Sequence, residues 1–221
     1  MEKHAFNIAI DGPAGAGKST IAKLVAKKLD FIYVDTGAMY RAIALYLLRS
    51  GVDTADEAAV SEAVKNADIT ICYRDGAQQV ILNGEDVSGL IRTEEVGNTA
   101  SAVSVYPAVR AHLLELQRSL AASRNVIMDG RDIGTVVLPH AQVKIYLTAS
   151  SMVRAKRRYD ELTAKGESCD LGKIRQDIED RDYRDMHRET SPLKQADDAV
   201  LVDTSDMTIE QVIDRIVELI G

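Results

Sequence analysis

Gly12-Pro13-Ala14-Gly15-Ala16-Gly17-Lys18-Ser19 is the feature that most constrains the fold of this chain. A short apolar run of strand length, Phe6 to Ile10, precedes it. Ile21, Leu24, Val25 and Leu29 follow at the spacing of one helix face. A second short apolar run, Phe31 to Val34, then ends in Asp35. Strand, glycine-rich turn, helix and strand make a βαβ unit, which requires a parallel sheet. The glycines let the backbone curl until several N–H groups face phosphate oxygens, and the following helix adds its positive end. Lys18 at this spacing can follow charge on the β- and γ-phosphates, and Ser19 offers a hydroxyl to Mg²⁺. The segment therefore predicts a site for a nucleoside triphosphate.

The remaining pattern extends that unit into an α/β protein. Val126 to Met128, Val143 to Leu147 and Val200 to Val202 are short buried runs, which brings the core strands to five. The expected architecture is a three-layer α/β/α domain over residues 1–221 with a five-stranded parallel sheet. Helices are predicted from Gly37 to Leu48, stopped by Gly51, and from Tyr106 to about Ser123. Thr54 and Glu57 predict a capping box for a helix ending near Asn66, and Thr208 and Gln211 one for the final helix. That final helix has Ile209, Val212, Ile213, Ile216, Val217 and Ile220 on its apolar face. Residues 69–90 differ. Ile69, Ile71 and Tyr73 alternate with polar residues, and Asp75-Gly76 and Asn83-Gly84 mark turns. They predict a small antiparallel insertion, either completing a site or decorating the surface.

Composition excludes several classes. There is no apolar stretch of about 18 residues to span a membrane, and Met1 to Asn7 lacks the features of a secretory signal. A net charge of −7 argues against a general nucleic-acid binder. Cys72 and Cys169 read as free thiols in a reducing, cytoplasmic compartment. His4, His112, His140 and His187 are scattered and form no zinc spacing. No Asn-Lys-x-Asp string appears, so the guanine-reading signature of switch GTPases is absent. Arginines are concentrated instead in residues 151–192. Arg154, Arg157 and Arg158 would share one helix face, as would Arg181, Arg184 and Arg188. They form either a solvated ion-paired helix pair or a cationic segment that closes over transferring phosphates. Asp11, Asp35, Asp129 and Asp132 stand at or just beyond strand ends, as metal or water positioners or as helix caps.

The chain as a whole resembles the long-type bacterial cytidylate kinases of the nucleoside-monophosphate kinase family. The matching stretches are Ile10-Asp11-Gly12-Pro13, Asp35-Thr36-Gly37-Ala38-Met39-Tyr40-Arg41, Gly84-Glu85-Asp86-Val87-Ser88 and Ile91-Arg92-Thr93-Glu94-Glu95-Val96. Asp129-Gly130-Arg131-Asp132-Ile133-Gly134-Thr135, Lys144-Ile145-Tyr146-Leu147 and Arg181-Asp182-Tyr183-Arg184-Asp185 complete the set. The resemblance implies γ-phosphoryl transfer from ATP to CMP or dCMP with Mg²⁺, by a cytoplasmic monomer. It implies an acceptor-binding region at about 36–120, enlarged by the insertion, and a mobile helical lid at about 151–192. It implies that Gly12, Pro13, Ala14, Gly15, Ala16, Gly17, Lys18, Ser19 and Thr20 bind ATP, with Ser19 on the metal and Asp35 or Asp129 behind it, directly or through water. Thr36, Arg110 and Asp132 would read cytosine. Arg41, Arg131 and Arg188 would hold the acceptor phosphate. Ser101, Arg181 and Asp185 would face the sugar. Lys18, Arg131, Arg157, Arg158 and Arg188 would act on the transferring group. Serine is common in the family where this chain has Thr36, and a hydroxyl is kept. Two other readings compete: a kinase for another acceptor such as UMP, AMP or shikimate, and a nucleotide-binding regulator without transfer activity.

Overall fold

A computed structural model describes residues 5–221. His4 and most of the stretch read for a leader lie outside the described residues. The chain runs β1 (Asn7–Asp11), α1 (Lys18–Leu29), β2 (Ile32–Asp35), α2 (Thr36–Arg49) and α3 (Glu57–Ala63), then β3 (Ile69–Arg74), β4 (Ala77–Leu82) and β5 (Glu85–Asp86). It continues α4 (Glu94–Val103), α5 (Pro107–Ser123), β6 (Val126–Gly130), β7 (Val143–Thr148), α6 (Ser151–Ala164), α7 (Leu171–His187), β8 (Val200–Asp203) and α8 (Ile209–Ile220). The five predicted core strands form one parallel sheet in the order β2-β6-β1-β7-β8. In its centre Ile8 registers with Val143 and Ile10 with Ile145. Ile8, Ile10, Ile127, Met128, Ile145 and Leu147 are all fully buried, as expected of parallel strands covered on both faces.

The insertion is a separate antiparallel sheet, β3-β4-β5. Both predicted turns have positive φ at their two central residues: 52° and 75° at Asp75-Gly76, 48° and 84° at Asn83-Gly84. That is the type I′ geometry, whose twist matches the flanking strands.

The described chain forms two compact units. One is Ile32–Val126; the other is Phe6–Phe31 with Ile127–Gly221. In the first, α2 packs against α4 and α5, burying Met39, Ile43, Leu47 and Leu113 completely. In the second, α1 packs against α8 and α6 against α7. Each large apolar side chain so buried contributes about 1.5–3 kcal/mol. No helix among the described residues is long and apolar enough to cross a membrane.

Several sequence expectations need correction. Asp56, rather than Thr54, caps α3, accepting from Ala58 and Ala59 N–H. A nearer carboxylate displaces the hydroxyl two residues upstream. Helix α4 was not anticipated; it is capped by Thr93 and carries Glu94 and Glu95 in its first turn. Leu24 and Ile209, assigned to buried faces, are 40% and 48% exposed. In α1 the small residues Ala22 and Ala26 take the inward positions with Ile21 and Val25. Arg188 lies just past α7 in extended backbone, so it does not continue the helix face of Arg181 and Arg184.

Candidate active site

Between β1 and α1 the backbone turns so tightly that Gly12 admits no side chain. A Cβ there would sit 1.9 Å from the Leu147 carbonyl oxygen. Gly15 and Gly17 follow with φ of 73° and 86°, and Gly17 starts α1. The loop's carbonyls are turned toward cations. Lys18 Nζ donates to Gly12 O and Pro13 O, each at 2.7 Å, and Arg154 Nη1 donates to Ala14 O at 2.8 Å. Burial holds the Lys18 ammonium well below its ordinary pKa, with Arg131 adding to the shift and Asp129, Asp11 and Asp185 opposing it. Ser19 Oγ donates to Asp129 Oδ2 at 2.7 Å. Ser19 and Thr20 are exposed and Asp129 is buried at the end of β6.

Asp11 organises the segment after β6. Its two carboxylate oxygens accept from Ile133 N–H at 2.8 Å and Gly134 N–H at 2.7 Å. These bonds open a π-helical turn, Ile133–Val137. Burial pushes the Asp11 carboxyl up to about 6, although both backbone bonds favour its charged form. Just before that turn, Arg131 Nε donates to Asp185 Oδ2 at 2.8 Å. Burial works against both charges. Asp185 nevertheless keeps the guanidinium above its usual range, and Arg131, Arg181 and Arg188 hold the Asp185 carboxyl below its own. Arg188 Nη2 stands 3.8 Å from Asp132 Oδ1, an ion-pair distance with both residues buried. Asp11, Lys18, Asp129, Arg131, Asp132, Asp185 and Arg188 are thus gathered in the second unit. Arg181 adds its field there from α7.

In the first unit, Asp35 ends β2 and caps α2, its Oδ1 accepting from Ala38 N–H at 2.9 Å. Its Oδ2 accepts from Arg92 Nη2 at 2.9 Å. Both oxygens are therefore engaged in structural bonds. Gln78 of β4 brackets the same residue: Asp35 N–H donates to Gln78 Oε1 at 2.8 Å, and Gln78 Nε2 donates to Asp35 O at 3.2 Å. Tyr73 of β3 donates to Tyr33 O at 3.1 Å. The insertion therefore braces the turn that presents Thr36, which is buried at the start of α2. A Cβ at Gly37 would press on Asp35 Oδ1 at 3.2 Å and touch Arg41 Nη1 at 3.4 Å, so glycine there spares the capping carboxylate. Arg110 is buried, donates to Ser104 O at 3.2 Å and lies 5.6 Å from the Tyr40 ring centre. Ser101 lies on α4, its carbonyl accepting from Ser104 Oγ at 2.9 Å.

Arg157 and Arg158 are placed elsewhere. Arg157 binds the Thr204 carbonyl at 2.7 Å and hydroxyl at 3.2 Å, and Arg158 pairs with Glu161 at 2.9 Å on the exposed face of α6. The arginine that α6 brings to the phosphate loop is Arg154, which the sequence places on the shared face with Arg157 and Arg158 but without a role at the site. Helical spacing groups all three; which one turns inward depends on Asp182 of α7, a partner that only the fold supplies. Gln78 was also missed, since an amide in a polar insertion carries no local signal. No group of three or more His, Cys, Asp or Glu among the described residues is arranged to hold a metal ion.

Comparison with known proteins places this geometry in context. The family model for cytidylate kinase matches residues 8–221. A cytidylate kinase from Lactobacillus johnsonii is 50% identical over 224 residues, covering 100% of this chain and 97% of that protein. Another, from Carboxydothermus hydrogenoformans, is 50% identical over 216 residues, covering 98% and 97%. A crystal structure of shikimate kinase from Bacteroides thetaiotaomicron shares the fold at a TM-score of 0.50 and 14% identity, covering 97% of this chain and 98% of that one. With a family match over nearly the whole chain and relatives of this similarity, the protein belongs to the cytidylate kinase family.

Proposed function

We propose that the protein transfers the γ-phosphoryl group of ATP to CMP or dCMP, giving ADP and CDP or dCDP. Besides family membership, one observation carries this reading. Arg131, Asp132, Asp185 and Arg188, the residues expected on the acceptor side, are gathered around each other, and two of them, Arg131 and Asp185, perturb the phosphate-loop lysine. A nucleotide-binding regulator would have no need of cations for a second phosphate beside that lysine. Cytosine offers an N4 donor next to N3 and O2 acceptors. The Asp132 carboxylate suits the donor, the Arg110 guanidinium suits the acceptors, and the Thr36 hydroxyl can serve either. Arg41, Arg131 and Arg188 hold the acceptor phosphate, and Ser101, Arg181 and Asp185 face the sugar.

The acceptor's own ionised phosphate oxygen is the nucleophile, so no general base is required. It forms a bond to the γ-phosphorus as the bond to the ADP oxygen breaks. The catalytic work is alignment and charge compensation. Residues Gly12 to Thr20 bind the donor, and Lys18 follows its charge. Arg157 and Arg158 belong to this scheme as residues of an α6–α7 lid, covering about 151–192, that exchange their Thr204 and Glu161 partners for phosphate. The donor set suits Mg²⁺, because Ser19 Oγ and Asp129 Oδ2 are hard oxygens 2.7 Å apart. Ser19 would hold the ion with Asp129 behind it, and the ion, when bound, neutralises charge shared by the β- and γ-phosphates. Asp35 suits this task less, since both its oxygens are engaged. A cytoplasmic monomer that binds neither nucleic acid nor membrane fits the two free cysteines and the acidic balance.

The test is ADP release with Mg·ATP across CMP, dCMP, UMP, AMP, GMP, dTMP and shikimate. Fast turnover with CMP and dCMP and little with purines is expected. Turnover confined to another acceptor would overturn the base-reading assignment, and ATP binding without turnover on any acceptor would overturn the kinase reading.

A further inference from the structure

Both backbone polar atoms of Ala14 in the phosphate loop are held by one ion pair. Arg154 Nη1 donates to Ala14 O at 2.8 Å, and Ala14 N–H donates to Asp182 Oδ1 at 3.3 Å. The two side chains close on each other, Arg154 Nη2 to Asp182 Oδ2 at 2.6 Å. Arg154 Nε is anchored to Ala149 O at 2.8 Å, at the start of the segment leading into α6. Both charged residues are buried. A Cβ at Gly15 would touch Arg154 Cβ at 3.5 Å and Ile178 Cδ1 at 3.9 Å, so the α6–α7 pair lies directly against the loop.

We infer that Arg154 and Asp182 form a positioning pair that sets the phosphate loop's conformation from the α6–α7 hairpin. Neither residue has been given a role in substrate binding above. An anion cradle works only if its backbone amides and carbonyls are held in fixed orientations. Lys18 turns the carbonyls of Gly12 and Pro13; Arg154 does the same for Ala14, the residue next to the left-handed Gly15. The Ala14 N–H is held in turn by the Asp182 carboxylate. Asp182 places a negative charge near a phosphate site, which is tolerable only while Arg154 neutralises it. A charge pair that merely joined two helices would not need to grip both backbone polar atoms of one loop residue.

The test is ATP affinity, measured by equilibrium titration, together with the KM values for ATP and the nucleotide acceptor. It rests on the kinase reading only for the acceptor constant, because ATP binding is read without any acceptor. Arg154→Met should weaken ATP binding about tenfold or more while the CMP KM stays within about twofold, and Arg154→Lys should recover part of the loss; the tenfold figure reflects loss of a charged hydrogen bond. Leaving Asp182 buried and unpaired can also unfold the chain. The double variant Arg154→Met/Asp182→Leu removes both charges. Restored melting temperature with ATP binding still weak supports the positioning role. Restoration of both, or parallel loss of ATP and CMP affinity in Arg154→Met, would overturn it. Failure of wild type to phosphorylate CMP, with tight ATP binding, would instead count against the proposed function alone.

Discussion

Asp11 shows how one residue can be structural and electrostatically costly together. Its carboxylate ties the start of the π turn that follows Arg131 and Asp132. Burial nevertheless raises its pKa from 3.8 to about 6. A carboxyl whose folded pKa exceeds its unfolded one stabilises the fold below pH 3.8, and the contribution disappears as pH rises through 6. At 1.36 kcal/mol per unit the effect is roughly 3 kcal/mol. The stability of wild type minus that of Asp11→Asn, by denaturant unfolding, should therefore fall by about this amount between pH 4 and pH 7. A flat difference would show that Asp11 is not desolvated in this way. The residue itself was legible in the sequence as an aspartate at a strand end, but its partners lie more than a hundred positions away. Arg154 makes the same point. Its charge was visible and its helix predictable, while its inward orientation depends on Asp182 and on the Ala14 peptide.

At the scale of elements, the β insertion is a brace. Gln78 bonds to both backbone polar atoms of Asp35, as a neighbouring strand would, and thereby steadies the turn into α2. Gln78→Ala should raise the CMP KM about fivefold while ATP affinity stays unchanged, since a lost hydrogen bond costs about 1 kcal/mol. An equal effect on both nucleotides would remove the brace from the acceptor side. The insertion's strands and turns could be read locally, because positive-φ positions select Asn, Asp and Gly. The buried strands and the Thr208–Gln211 capping box were equally plain, and the box is present with both its bonds. Helix α4 escaped notice because only Val96, Ala100 and Val103 are buried in its ten residues, too short a run to establish a period. The exposed Leu24 and Ile209 show the reverse failure. Helical spacing places a residue on a face, but the width of the covered stripe depends on what packs there.

Over the whole molecule, the phosphate loop depends on segments distant in sequence. Strand β1 pairs with β7, Gly12 is pressed against Leu147, and α1 packs against α8. Ile216 of α8 is fully buried. Ile216→Ala should cost about 2–5 kcal/mol, and ATP should recover part of it in a thermal melt by binding only the folded state. If the variant melts like wild type, α8 is not a support for this unit. These long-range contacts also set an order of events during synthesis. The loop between β1 and α1 precedes its partner strand β7 and backing helix α8 by more than a hundred residues. A growing chain therefore makes the loop well before it makes the strand and helix that hold it. The loop takes up its final packing only once β7 and α8 have joined β1 and α1.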